Sequence, residues 1–353
     1  MKRAVIVAVL ALLTLSAQAQ KVSLQWGVRL DGAMINDEFD ASEARFAESG
    51  TLAAVKFSPR IGLKFGKGSR LFAGATFTKD FGTPGMAPAT EWSAWYQFDK
   101  KNFTLAAGIF PRTILSKGYS TLILSDAVRF YDTYLEGFAL RWKKNSSFAE
   151  IVLDWNGKYG EARREQFNVI SAGKLHLFVP MFLVGWEGMF HHYACSREFI
   201  AVVDDHIIRP YVGADFASIT GMQSLSAQLG VVAGYQKDRL SGMGYTPFGV
   251  HLLTEAGIWN FGIRNTAYYG DSQAPLYAQP DEAGNPYASA LYMRASIWQK
   301  AGFYDRAELY WAKSIGRYAA LGVSLVFHFG NEGYIGCQQL FRVAVNLDDI
   351  KLK

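Results

Sequence analysis

The chain has 353 residues, half of them apolar and 15% aromatic, with 34 glycines and a formal net charge of +5. That charge falls to +3 without Lys2 and Arg3, too weak a balance to imply nucleic-acid binding. Beyond residue 19 there is no run of about eighteen apolar residues, which excludes a membrane-spanning helix.

At the N-terminus, Met1-Lys2-Arg3 is a short basic region, Ala4 to Leu15 an apolar run, and Ala17-Gln18-Ala19 a small-x-small cleavage signal. Residues 1–19 are expected to be a secretory signal peptide, with the mature chain starting near Gln20. No Pro/Ser-rich linker and no shift in composition divides residues 20–353, so a single domain is expected there.

The elements that follow alternate at period two. Val22, Leu24, Trp26, Val28 and Leu30 stand against Ser23, Gln25, Gly27, Arg29 and Asp31. Between Val55 and Phe65, apolar Phe57, Pro59, Ile61 and Leu63 stand against Lys56, Ser58, Arg60, Gly62 and Lys64. Successive side chains of a strand point to opposite faces, so each segment has one greasy and one polar face. The pattern returns in Leu71–Asp80, Glu91–Asp99, Glu150–Asn156, Leu225–Gly234, Leu291–Ile297 and Ala319–His328, and a last alternation runs from Phe341 to Leu347. Segments of about ten residues match a tilted strand crossing a bilayer. The expected fold is all-β, a transmembrane antiparallel β-barrel of about sixteen strands, with fourteen to eighteen allowed.

The connections alternate as well. Gly66-Lys67-Gly68-Ser69, Asp99 to Asn102, Lys143 to Ser146 and the Trp259-Asn260 corner read as tight turns. Asn36–Gly50, Gly82–Thr90, Arg112–Asp132, Ser196–His206 and Gly270–Tyr287 read as long loops. Short turns on a periplasmic rim and long loops on the outer rim fit a membrane barrel, with outward tryptophans such as Trp92 and Trp155 at the interfaces.

A barrel of this size leaves a water-filled interior, and the inward positions are polar. The basic pore-lining candidates are Arg29, Lys56, Arg60, Lys64, Arg112, Arg141, Arg209, Arg264 and Arg294. The acidic ones are Asp31, Asp80, Glu91, Glu150, Asp154, Glu187, Asp215, Glu255 and Glu308. Charges of both signs require a wet lumen or pairing across it. A basic wall near the first strands facing Glu150, Asp154 and Glu187 would set up a transverse field; local cancellation, as between Arg29 and Asp31, is the alternative.

With these features the chain resembles the porin-like outer-membrane barrels of Gram-negative bacteria, in architecture and without a short family motif. One departure is the C-terminus, Ile350-Lys351-Leu352-Lys353, where such barrels often end on an aromatic residue. The resemblance implies an outer-membrane location, contact with lipids and lipopolysaccharide, delivery by the barrel-insertion machinery, and a homo-oligomer as one arrangement. It implies passive diffusion of small hydrophilic solutes, and an inward-folded loop that narrows the pore. Arg112–Asp132 is the candidate for that loop, through Tyr119, Asp126, Arg129, Phe130 and Tyr131. Packing over the outer rim, or one more short strand, remains open for it.

Other chemistry is weighed against this. His191 and His192 would face opposite ways on a strand, so His191-His192-Tyr193-Ala194-Cys195 reads as a strand end at the rim and no metal site is expected. Cys195 is placed near the outer rim and Cys337 near a periplasmic turn, so no disulfide is expected. No Gly-x-Ser-x-Gly elbow occurs, and His176, His251 and His328 sit singly. The expectation is therefore a porin-like channel, not an enzyme, with no cofactor. A structural or adhesin barrel and an outer-membrane hydrolase are the alternatives.

Overall fold

A computed structural model describes residues 22–278 and 300–348, apart from 44–46, 48, 85–88, 117, 178, 180 and 199. The signal-peptide segment, the expected strand Leu291–Ile297 and Arg294 lie outside the described residues.

The wall strands are β1 Ser23–Phe39, β2 Gly50–Phe65, β3 Ser69–Asp80, β4 Ala89–Lys100, β5 Phe103–Pro111 and β6 Tyr134–Lys144. They continue as β7 Ser147–Gly157, β8 Gln166–His176, β9 Phe182–Tyr193, β10 Val203–Asp215 and β11 Ser224–Asp238. The last five are β12 Phe248–Ile258, β13 Phe261–Gly270, β14 Gly302–Ile315, β15 Ala319–Gly330 and β16 Gly333–Asn346. Each pairs antiparallel with its sequence neighbour, and β16 returns to β1 from Arg29↔Asn346 to Phe39↔Gly336. The ring therefore closes with sixteen wall strands. Gly244 and Tyr245 add a two-residue pairing to β11. Closure leaves no unpaired edge, the condition for spanning a bilayer with strands. Two helices are α1 Asp126–Tyr131 and α2 Ala217–Thr220.

The turns explain the rims. Lys101, Asn145, Trp259 and Asn260 take φ of 50°, 53°, 52° and 70°, the left-handed geometry of tight hairpins. At Gly68, φ is 124° and a Cβ would lie 2.0 Å from the Asp99 carbonyl oxygen, so only glycine fits. The opposite rim carries the long connections, with the β15–β16 hairpin at Asn331-Glu332 as its tight turn. That hairpin corrects the placement of Cys337, which lies near the long-loop end of β16 opposite Phe327 and Glu38. Both cysteines therefore lie towards the long-loop rim, which removes the argument from opposite rims; the structure leaves both thiols free. Phe341–Leu347 falls largely in β16 and is a true wall segment.

The outer face is apolar and open to its surroundings. Leu63, Leu229, Ile263 and Phe341 are all exposed, and Trp92 is 72% exposed. Water would penalise so continuous an apolar band, whereas a bilayer solvates it.

Candidate functional site

The candidate site is the lumen, and segment 112–133 divides it. The inward positions of β5 to β8 include Ala106, Ala139 and Ala172, small side chains that leave space beside the wall. After Pro111 the chain turns into that space through a 3-10 turn, Arg112–Ile114. Leu122, Ile123 and Leu124 are fully buried, packed in one cluster with Phe110, Leu135, Val152, Ile170 and Met189. Burial of such side chains stabilises by about 1.5–3 kcal/mol each, so hydrophobic contact holds the segment in the barrel.

Polar contacts fix its course. The Ser116 N–H and hydroxyl donate to Glu150 on β7, both at 3.0 Å. The Ser120 N–H and hydroxyl donate to Glu187 on β9 at 2.6 and 2.7 Å. Glu187 also accepts from Arg209 at 2.8 Å, with both side chains almost fully buried. The Ser125 hydroxyl caps α1 by accepting the Val128 N–H at 3.2 Å. Asp126 then reaches the far wall, accepting from Arg342 on β16 at 2.5 Å and from Arg306 on β14 at 3.3 Å. Arg129 turns back onto the segment and donates to the Tyr119 and Leu124 carbonyls. Lys56 on β2 donates to the Phe130 carbonyl and to Thr133, with its ammonium 4.5 Å from the Phe130 ring centre. Tyr131 donates to Asp80 on β3 at 2.9 Å, and burial beside that carboxylate pushes its phenol up to about 12. The segment leaves the wall between β5 and β6 and touches β7, β9, β14, β16, β2 and β3 in turn. It is a belt across the interior.

Towards the short-turn rim the described inner-face charges are partly exposed. Arg29 pairs with Asp31 at 2.6 Å, Arg60 with Asp348 at 2.6 Å, and Arg264 with both Glu255 and Glu308 at 3.2 Å. Lys64 is exposed there beside a cavity of about 440 Å³ lined by Gln25, Lys67, Arg70 and Asp99. Arg70 pairs with Asp99. Asp215 accepts the Ala217 N–H and serves the β10–β11 turn.

The inner-face candidates thus separate. Arg29, Asp31, Arg60, Lys64, Arg264 and Glu255 lie in the partly exposed part. Lys56, Glu150, Asp154, Glu187 and Arg209 instead lie 5% exposed or less, which corrects their assignment to a water-washed wall. Arg112 is buried on Asp132 and Asp154, and Arg141 donates to the Ile114 carbonyl. Glu91 is half-buried on the inner face of β4, and Glu308 is buried against Arg306. The transverse field is corrected as well: its acidic side is covered by the belt, and on its basic side Arg29 and Arg60 are ion-paired while Lys56 is buried on the belt. Sequence reasoning missed Ser116, Ser120 and Arg306. The two serines, four apart and just before the apolar run Leu122–Leu124, were their own signal, and Arg306 shares the inward parity of Glu308.

On the outer face, His192 on β9 bonds Asp204 on β10 at 2.7 Å, and Arg239 holds the same carboxylate at 2.7 Å. The pair sits near the long-loop rim, with Phe167 5.1 Å from the imidazole. His191 turns inward to Asn168 at 2.6 Å.

A closed sixteen-strand antiparallel ring with an apolar outer belt and a charged interior defines a porin-like outer-membrane β-barrel. Two solved structures from Pseudomonas aeruginosa are similar to it. OprD matches with a TM-score of 0.52 and 10% identity over 93% of this chain and 96% of that chain. OccK2 (OpdF), in complex with glucuronate, matches with a TM-score of 0.52 and 8% identity over 93% and 99%. At such identities they establish the fold alone. No curated protein matches the chain. A family model described as lipid A 3'-O-deacylase-type matches residues 17–272, and the chain belongs to that family. This overturns the expectation that the protein is not an enzyme, since the family is defined by an enzymatic activity. A serine elbow with a convergent histidine is one hydrolase arrangement among several, so its absence from the sequence does not exclude an enzyme.

Proposed function

We propose that the lumen is a narrow passage for small hydrophilic solutes, controlled by the belt at residues 112–133. The observation that carries this reading is the division of the interior. A charged, partly exposed vestibule at the short-turn rim ends against a segment whose described hydrogen bonds to the wall strands each have a side chain as one partner. Such a segment is displaceable without breaking any wall pairing, because none of its hydrogen bonds belongs to the ladder. Paired charges around the vestibule offer weak, dispersed contacts, so a solute can enter and leave. The long-loop rim faces the exterior in this reading, and the signal peptide delivers the chain across the inner membrane. Planar-bilayer conductance tests it: a variant lacking Ser120–Ser125 conducts more than the parent. Equal conductance in correctly assembled protein rejects the passage.

A second reading follows from the family and one contact. The His192–Asp204 pair lies on the lipid-facing side near the long-loop rim, where an ester of lipid A would meet it. The carboxylate orients the imidazole, and the imidazole can act as a general base towards water. Release of fatty acid from lipid A bilayers, lost in His192→Ala, tests this. Release that is absent from the parent, or unchanged in the variant, rejects that site.

A further inference from the structure

The belt's far end rests on a chain of ion pairs along the wall, with Arg129 of the belt and Asp37 of β1 close to Asp126. Among the described residues, three guanidiniums, Arg264, Arg306 and Arg342, are ion-paired with three carboxylates, Asp126, Glu255 and Glu308. Five of these six groups belong to the wall, and Asp126 alone comes from the belt. Arg306 is 6% exposed, whereas Arg342 is 44% exposed. Withdrawing Asp126 leaves Arg342 without its carboxylate and the buried Arg306 with Glu308 alone at 2.7 Å, so two guanidinium edges face the vacated position. An arginine pair presents N–H donors suited to a two-oxygen anion, and Asp126 uses both of its oxygens on it.

We propose that Arg306 and Arg342 form a binding site for a small oxyanion, a carboxylate or a phosphate, which Asp126 occupies as a built-in substitute. Arg342 is the point of entry, because its side chain reaches water. An incoming anion takes over Asp126's contacts on Arg306 and Arg342 and frees α1 from the wall. Arg129 follows α1 and keeps its bonds to Tyr119 and Leu124, since these lie within the belt. The remaining anchors at Glu150 and Glu187 hold the first half of the belt, so release begins at residues 125–131. This deepens the passage reading by naming the solute chemistry that opens it, and it rests on that reading for its purpose.

Amide hydrogen exchange across residues 120–131 tests the site without relying on conductance. The assembled barrel is compared in inorganic phosphate, in acetate and in chloride at matched ionic strength. Phosphate or acetate is expected to speed exchange about tenfold or more over chloride, and the more effective of the two identifies the ligand class. Asp126→Asn should exchange fast in all three salts. It should also gain more thermal protection from the effective anion than the parent does, because the internal competitor is gone. Arg342→Gln should lose the anion response. If Asp126→Asn fails to assemble, Arg342→Gln alone carries the comparison. Equal acceleration by all three salts means charge screening and overturns the site, as does an unchanged exchange rate in every anion. A loop-deleted barrel that does not conduct rejects the passage reading and leaves this result standing.

Discussion

Two sectors of one lumen follow different physics. Under the belt, the wall from β4 to β10 is dry: Ala106, Leu135, Val152 and Ile170 have essentially no exposure, and the Glu187–Arg209 pair is sealed. At the short-turn rim the same alternation yields half-exposed pairs such as Arg29–Asp31 and Arg264–Glu255. A charge pair in the dry sector has lost its water and depends on its partner. A pair in the wet sector is screened and nearly dispensable. Inward-facing position alone therefore says little about what a residue does; what covers it decides.

The largest effect should come from breaking the sealed pair. Glu187→Ala strands Arg209 and removes the Ser120 anchor, and should cost about 3–5 kcal/mol in urea unfolding. A cost no larger than that of a rim pair would erase the distinction between sectors. Next, Leu122→Ala opens a cavity in the belt's core and should cost about 2–5 kcal/mol, with a rise in single-channel conductance. On the lipid face, Leu229→Lys should impair assembly by about 2–4 kcal/mol, while Ser226→Lys, at an inward position of the same strand in register with Glu255, should cost little. Heat-modifiable gel mobility separates these two. Smallest is Arg29→Gln in the wet sector, with about 0–1 kcal/mol expected.

Acid sharpens the same contrast. Burial opposes ionisation of Asp126, but Arg342 and Arg306 outweigh it and hold the carboxyl well below the usual carboxylate range. A carboxyl lowered in the folded state contributes stability above its unfolded value, about 3.9, and loses it only as pH falls towards the lower folded value. Protection of residues 125–131, measured relative to the intrinsic amide exchange rate at each pH, should therefore be the same at pH 7 and pH 5. Loosening within that window would mean the Arg306–Asp126–Arg342 contacts are not the latch.

Much of the barrel was legible because a strand records its facing in every second residue. Val55–Phe65 needed no partner to reveal one greasy and one basic side. The apolar content of Tyr119–Leu124 likewise announced that this stretch would not lie in water. The belt's destination was not legible. Nothing local ties Asp126 to Arg306, 180 positions away, because ring closure supplies that proximity. Cys337 was misplaced for a related reason: one tight hairpin on the long-loop rim inverts the expected direction of the last strand.

By itself the sequence determined which residues face lipid and which face inward, and that the ring would hold about sixteen strands. The physical reason is local: side-chain alternation is a property of the extended backbone, and turn residues carry their own φ preferences. Only the tertiary structure decided which inward residues keep water. Alanines on β5, β6 and β8 left room along one side of the lumen, and an apolar segment filled it. Lys56, Glu150 and Glu187 thereby became anchors, while Arg29 and Arg264 stayed beside water. Burial is set by what lies across the lumen, and neighbours in space are brought there by closure rather than by chain order.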